Sequence, residues 1–264
     1  MRHFALLMLC LCFAASTANA AVTVEERILQ KGLFAKADCK PDSSDPGYDA
    51  CRCDADIRYP EILNLPDAAS QVALNANFKH AAEQAQCEGT PAKEAAKSAD
   101  KKTQDGGASS VSHHYEMTFH SPSLLSLKFT DWAYTGGAHG NGSIEGVILD
   151  LEKGKVLAIE DIIAAKDMAA VNQVIYDTLS AKPEGEVFRD QIESRKGKFI
   201  DDGQCQGCTL LLKPEGLEVV FQTYEVASFA EGNLEVPIPA QYISYPAVMA
   251  ALAQQKKTIA AEQK

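Results

Sequence analysis

Apolar and polar positions along this chain fall into two periods. Leu74, Phe78, Ala81 and Ala85 recur at helical spacing behind a candidate N-cap, Asp67, and predict a helix over 67–87. Met168, Val171, Val174, Ile175 and Leu179 predict a second helix that Pro183 stops, after a short one opened by Glu160-Asp161. A terminal helix is expected over 245–255, with a polar tail over 256–264. Strand-like alternation occupies Leu33 to Cys39 and Ala50 to Pro60, expected to pair as a hairpin. Leu125, Leu127 and Phe129 alternate with polar neighbours, but Trp132 and Tyr134 fall on the other parity, which predicts a bulge near Thr130-Asp131. Asn141-Gly142 is a hairpin dipeptide. Val147, Leu149 and Leu151 run to a Lys153-Gly154 turn. Leu210–Leu212, a Lys213-Pro214-Glu215-Gly216 turn and Leu217, Val219 and Phe221 form a second hairpin, and 234–238 a last strand. Residues 88–110 are polar and glycine-rich, and are expected to be a mobile insertion. Residues 184–208 show no clear period, with Phe188, Ile192 and Phe199 as candidate buried anchors.

The first 20 residues do not fit this scheme. A short positive lead, an apolar run from Phe4 to Ala15 and Ala18-Asn19-Ala20 have the form of a secretory signal peptide cleaved after Ala20. The run is too short to span a bilayer, which takes about 20 residues, and no later segment approaches a span. A periplasmic or secreted protein is expected. Loss of Arg2 takes the formal charge from −11 to −12. Such an acidic chain lacks the basic footprint of a nucleic-acid binder.

Export gives the cysteines their meaning. Six follow the leader: Cys39, Cys51, Cys53, Cys87, Cys205 and Cys208. An even number in an oxidising compartment predicts disulfides. Cys39 lies across a turn-rich loop from Cys51 and Cys53, so either is a partner, and Cys87 takes the one left over. Cys205 and Cys208 close on each other. A redox pair at 205–208 would need a helix N-terminus to lower its pKa. Here Asp201-Asp202-Gly203 precedes the motif and a strand-like run follows it. A zinc site from Cys51, Cys53, Cys205 and Cys208 matches no standard spacing.

Several motifs carry a resemblance. Leu124–Phe129 leads into Tyr134-Thr135-Gly136-Gly137-Ala138-His139-Gly140. Asp150–Leu157 and Asp161-Ile162-Ile163 follow. The set closes with Phe221-Gln222-Thr223-Tyr224-Glu225-Val226-Ala227-Ser228-Phe229-Ala230-Glu231-Gly232 and Val236-Pro237-Ile238-Pro239. Upstream, Tyr59-Pro60-Glu61-Ile62 and Leu74-Asn75 fit the same pattern. Over roughly 50–246 the chain resembles the extracytoplasmic module of RsiV-like anti-sigma factors and the non-catalytic N-terminal region of PdaC. The resemblance implies an α+β fold of antiparallel sheets with helices packed on one face, in a two-part module: 21–150, then 151–246, with 247–264 as terminal helix and tail. It implies binding of lysozyme, without the membrane helix or sigma-binding segment of RsiV and without the PdaC catalytic domain. No cofactor or metal is implied.

Within the signature, Tyr134, Gly136, Gly137, His139, Tyr224 and Glu225 are the candidate binding residues. His139 has two readings, a loop ligand or base and a residue that holds a glycine turn; the second is preferred. His114 and His120 share parity and, with His113 and His139, form a weak metal candidate. Asn141-Gly142-Ser143 matches a glycosylation sequon, though a turn explains the same residues. Asp150 and Glu225 are the carboxylates a glycan hydrolase would use. The function expected is a non-catalytic envelope module whose partner is lysozyme, another basic envelope protein or a peptidoglycan fragment. The alternatives are a cell-wall glycan hydrolase and a thiol-disulfide protein.

Overall fold

The computed structural model describes residues 21–37, 39, 48–91, 107–136 and 138–262. The expected leader, Gly137 and residues 92–106 of the expected insertion lie outside them. The ends of that insertion are strands rather than loop: β3 (Thr90–Pro91) pairs with β1 (Thr23–Ala35), and β4 (Gly107–His120) begins inside the expected loop.

The fold is α+β in two parts. β1 and β2 (Tyr48–Leu63) form the expected antiparallel pair, longer than the alternation suggested. β5 (Leu124–Tyr134), β6 (Asn141–Asp150) and β7 (Lys155–Val156) complete a seven-stranded sheet of order β3-β1-β2-β4-β5-β6-β7. One joint, β2 against β4, is parallel; the other pairs are antiparallel.

Helix α1 (Ala68–Gln84) lies across one face of this sheet. Asp67 caps it as expected, accepting a hydrogen bond from Ser70 N–H at 2.9 Å. Leu74 and Phe78 pack on Leu125, Leu127, Phe129, Leu149 and Leu151. The other face takes the second part. Phe119, Leu124 and Ile148 join one core with α2 (Ile159–Ile162), α3 (Met168–Ser180), α4 (Arg189–Ser194), α5 (Pro246–Glu262) and a smaller sheet. That sheet has the order β10-β11-β12: β10 (Cys208–Lys213), β11 (Gly216–Phe221) and β12 (Leu234–Ile238). Ile192 and Phe199 are buried anchors as expected; Phe188 is half-buried beside fully covered Val187.

A sheet covered on both faces loses its amphipathic alternation. This explains two departures from the sequence reading. β5 is unbroken against β6, so the change of parity at Trp132 and Tyr134 marks residues facing the second part, not a bulge. The irregularity lies instead in β4, between Met117 and Phe119. It reverses the parity of everything after it. His114 pairs with Thr130 and His120 with Leu125, so the two histidines look to opposite faces. Asn141-Gly142 is not the hairpin turn either: both residues are already in register with Ala133 and Trp132. The polar tail is also helical, since α5 continues to Glu262.

The edge of β6 is closed by side chains. Gln222 accepts from Ile144 N–H at 2.9 Å and donates to Ile144 C=O at 2.5 Å. Thr209 Oγ1 accepts from Gly146 N–H at 2.7 Å. An amide carries one donor group and one acceptor, so it matches a backbone residue as a strand neighbour would. Asn75 serves Ile62 in this way, Asn172 serves Ile200, and Gln30 serves Cys87. These contacts satisfy backbone groups that an open edge would present to other chains.

Candidate functional site

The three cysteine pairs are bonded: Cys39–Cys51, Cys53–Cys87 and Cys205–Cys208. Cys53–Cys87 ties the segment after α1 to β2 beneath Phe34, Ala55 and Ile57. Cys205 ends β9 (Gln204–Cys205) and Cys208 begins β10, so the third bridge closes a tight turn between strands.

The candidate binding residues converge in part. The loop after β5 reaches the loop after β11. The His139 ring stacks on Phe229 with centroids 4.3 Å apart. His139 Nδ1 faces the Gly140 carbonyl at 2.8 Å, so Nδ1 donates there. Nε2 is then free to accept from the Tyr224 hydroxyl, 3.3 Å away. His139 therefore joins two loops. Gly136 has φ +96, which its turn requires of a glycine. Gly140 has a different reason: a Cβ there would come within 2.4 Å of the Trp132 ring. Tyr134 ends β5 opposite Ser110, at the base of the loop.

Tyr224 stands out. Its φ is +69, a left-handed conformation in a bulky residue, and it is 48% exposed. Such a conformation costs on the order of 1–3 kcal/mol and persists only where the surroundings impose it. Here they do. Tyr224 N–H donates to Ala227 C=O at 3.0 Å, and Glu225 N–H to Gln222 C=O at 3.2 Å. Glu225 packs over Gly207 and pairs with Arg195 at 3.2 Å. Arg195 also donates to the carbonyls of Gln206 and Glu225. It thereby links the disulfide turn to the Tyr224 turn. Arg195 and Trp132 were not among the sequence candidates. Trp132, 37% exposed, lines a shallow cavity of about 200 Å³ with Thr223, Phe229 and Asn233.

The two catalytic candidates make separate structural bonds and share no partner among the described residues. Asp150 is 2% exposed. It accepts from the Tyr245 hydroxyl at 2.5 Å and from Lys153 N–H at 2.9 Å, with the Lys153 ammonium at 3.2 Å. Burial is the largest single influence and opposes its ionisation. The hydrogen bonds from Tyr245 and Lys153 together outweigh it, so the carboxyl titrates below its ordinary range. A depressed folded pKa adds stability above the unfolded carboxylate range, and that stability is lost as pH falls through the folded value. Asp150→Asn is therefore expected to cost about 2–3 kcal/mol at neutral pH. It should also reduce the stability lost on acidification below about pH 4. Urea titrations of both proteins at the two pH values check this; equal acid sensitivity would count against the bonding described.

Among the described residues, no cluster of three metal-ligating side chains occurs and no helix is long and apolar enough to cross a membrane.

Residues 49–142 match the family described as deacetylase PdaC, and residues 160–241 match the family described as protein of unknown function DUF3298. None of the curated proteins matches the chain in sequence. A DUF3298 family member from Bacteroides fragilis NCTC 9343 shares the fold with a TM-score of 0.58 at 16% identity, over 89% of this chain and 99% of that one. A DUF3298 family protein from Pseudomonas aeruginosa PAO1 aligns with a TM-score of 0.50 at 15% identity, over 87% of this chain and 97% of its own.

Proposed function

From a chain that carries a PdaC-type domain followed by a DUF3298 domain, we propose an exported, non-catalytic binding module of the cell envelope. It docks a basic protein of lysozyme type through the His139–Tyr224 loop pair. The observation that carries this reading is Tyr224 itself, an exposed aromatic held in a strained turn by His139, Phe229 and the Arg195-braced loop. Exposed, rigidly supported Tyr and Trp side chains are the usual energetic centres of protein interfaces. Glu225 follows Tyr224 directly, and exposed Glu231 ends the short turn that begins at Phe229. The acidic chain as a whole favours a basic partner and speeds its approach. Export is supported by the leader-like first 20 residues and by three disulfides in the folded part.

Calorimetry of the disulfide-bonded protein with a c-type lysozyme tests the site. Tyr224→Ala is expected to weaken binding at least tenfold, that is by about 1.4 kcal/mol or more, while the half-exposed ring leaves the melting temperature within a few degrees. Alanine keeps the Cβ that strains a turn at φ +69, so no backbone strain is relieved. Unchanged affinity would remove the loop pair from the interface. Binding of peptidoglycan fragments in place of lysozyme would assign the module to the wall itself.

A further inference from the structure

We propose that the cavity between α1 and the seven-stranded sheet binds a small organic amine, its apolar ring on Phe78 and Phe129 and its ammonium group among His113, Asp131 and Glu145.

The argument begins with an unsatisfied atom. His113 is 2% exposed, at the middle of β4, with its ring stacked on Phe129 at 5.5 Å. Its Nδ1 lies 2.6 Å from Asp131 Oδ1. A carboxylate only accepts, so the hydrogen-bond network places the ring hydrogen on Nδ1 and leaves the lone pair of the neutral ring on Nε2. Nε2 is buried and has no partner among the described residues. A buried acceptor without a donor is destabilising, and native proteins keep few of them without a use.

The surroundings suggest what that use is. His113 lines a cavity of about 260 Å³ with Leu74, Phe78, Phe129, Asp131 and Glu145. An apolar cavity of about 150 Å³ is enough for benzene, so one ring fits. The walls are mainly apolar; their polar groups are Nε2, two carboxylates and the Asn77 amide, which can donate or accept, so acceptors predominate. The Glu145 side chain is exposed and forms no ion pair among the described residues. The complement is a ligand with an apolar body and a cationic donor. An alcohol would satisfy Nε2 but leave the carboxylates unmatched, and an anion would be repelled. The cavity shares Ala81 and Asp131 with a wider groove of about 670 Å³ beside the end of α1.

This site lies on the sheet face opposite the docking loops, so its failure leaves the docking reading standing. The test follows the His113 ring nitrogens by long-range proton–nitrogen NMR in the intact disulfide-bonded protein. The probes are benzylamine, benzyl alcohol and benzoate. Benzylamine is expected to shift Nε2 and to bind at least about tenfold more tightly than benzyl alcohol; benzoate should leave Nε2 unmoved. Glu145→Gln changes an exposed side chain and leaves the core intact. It should weaken benzylamine about fivefold and leave benzyl alcohol unchanged. Silence of Nε2 to benzylamine, equal affinity for amine and alcohol, or an unaffected Glu145→Gln variant would each overturn the proposal.

Discussion

Gly146→Ala is expected to separate the two parts of the protein and lower its melting temperature by about 10 °C. β10 crosses β6 at this glycine. A Cβ built there would stand 1.9 Å from the Leu210 carbonyl oxygen and 2.9 Å from Leu211 Cδ2. A carbonyl in a paired strand cannot swing aside as a side-chain end can, so β10 must move as a unit. Movement breaks the Gly146–Thr209 hydrogen bond and strains those of Ile144 with Gln222 and of Leu212 with Ser126. Overpacking of this kind costs about 1–3 kcal/mol in a core that can adjust, and more where backbone blocks the adjustment. Differential scanning calorimetry gives the answer. A shift of less than about 2 °C would mean that the two sheets are not in backbone contact at Gly146.

Replacing both Cys53 and Cys87 with serine should have a comparable effect. The two residues are 34 apart in sequence, and closing a loop of that length removes about 3–4 kcal/mol of unfolded-state entropy. The bridge also seals a small core with Phe34, Ala55, Ile57 and Ala82. Losing it should free Cys87 from Gln30 and loosen the end of α1 first. The Cys205–Cys208 bridge spans 3 positions, and the same reasoning gives its removal roughly half the cost. Denaturant titration of the two double-serine variants tests the order. If the 205–208 variant is the less stable, the short bridge does more than close its turn.

The local chemistry of this chain was readable, and its long-range pairing was not. Asp67 and the 74–78–81–85 spacing located α1 to within a turn, because capping and amphipathicity are local. The β10–β11 hairpin and the self-closing Cys205–Cys208 pair were readable for the same reason. The bulge was placed in β5 because a change of parity usually marks one. Here the sheet is buried on both faces, so the change recorded two different coverings. The parallel joint between β2 and β4 depends on a crossover that includes α1, and no turn signal announces it. At the candidate site, the Gly-Gly-Ala-His loop and the Tyr224 segment drew notice separately. Their contact through His139, Phe229 and Tyr224 joins residues 85 apart. The sequence does not set His113 apart from His114 and His120, since only the register of β4 with β5 shows which histidine is buried against Asp131.

Capture of a basic lysozyme-type protein by this acidic module, as proposed, makes charge the driver of encounter. The most direct test is the association rate of the purified, disulfide-bonded protein with a c-type lysozyme, measured from about 50 mM to 500 mM salt while lysis is followed in parallel. Screening shortens the reach of charge from more than 10 Å to less than 5 Å over roughly that range. Saturable binding is expected, with an association rate that falls at least about tenfold with salt while dissociation changes little. Loss of lysis on binding would make the module an antagonist, and retained lysis a sensor or decoy. No binding at either salt concentration would contradict the account.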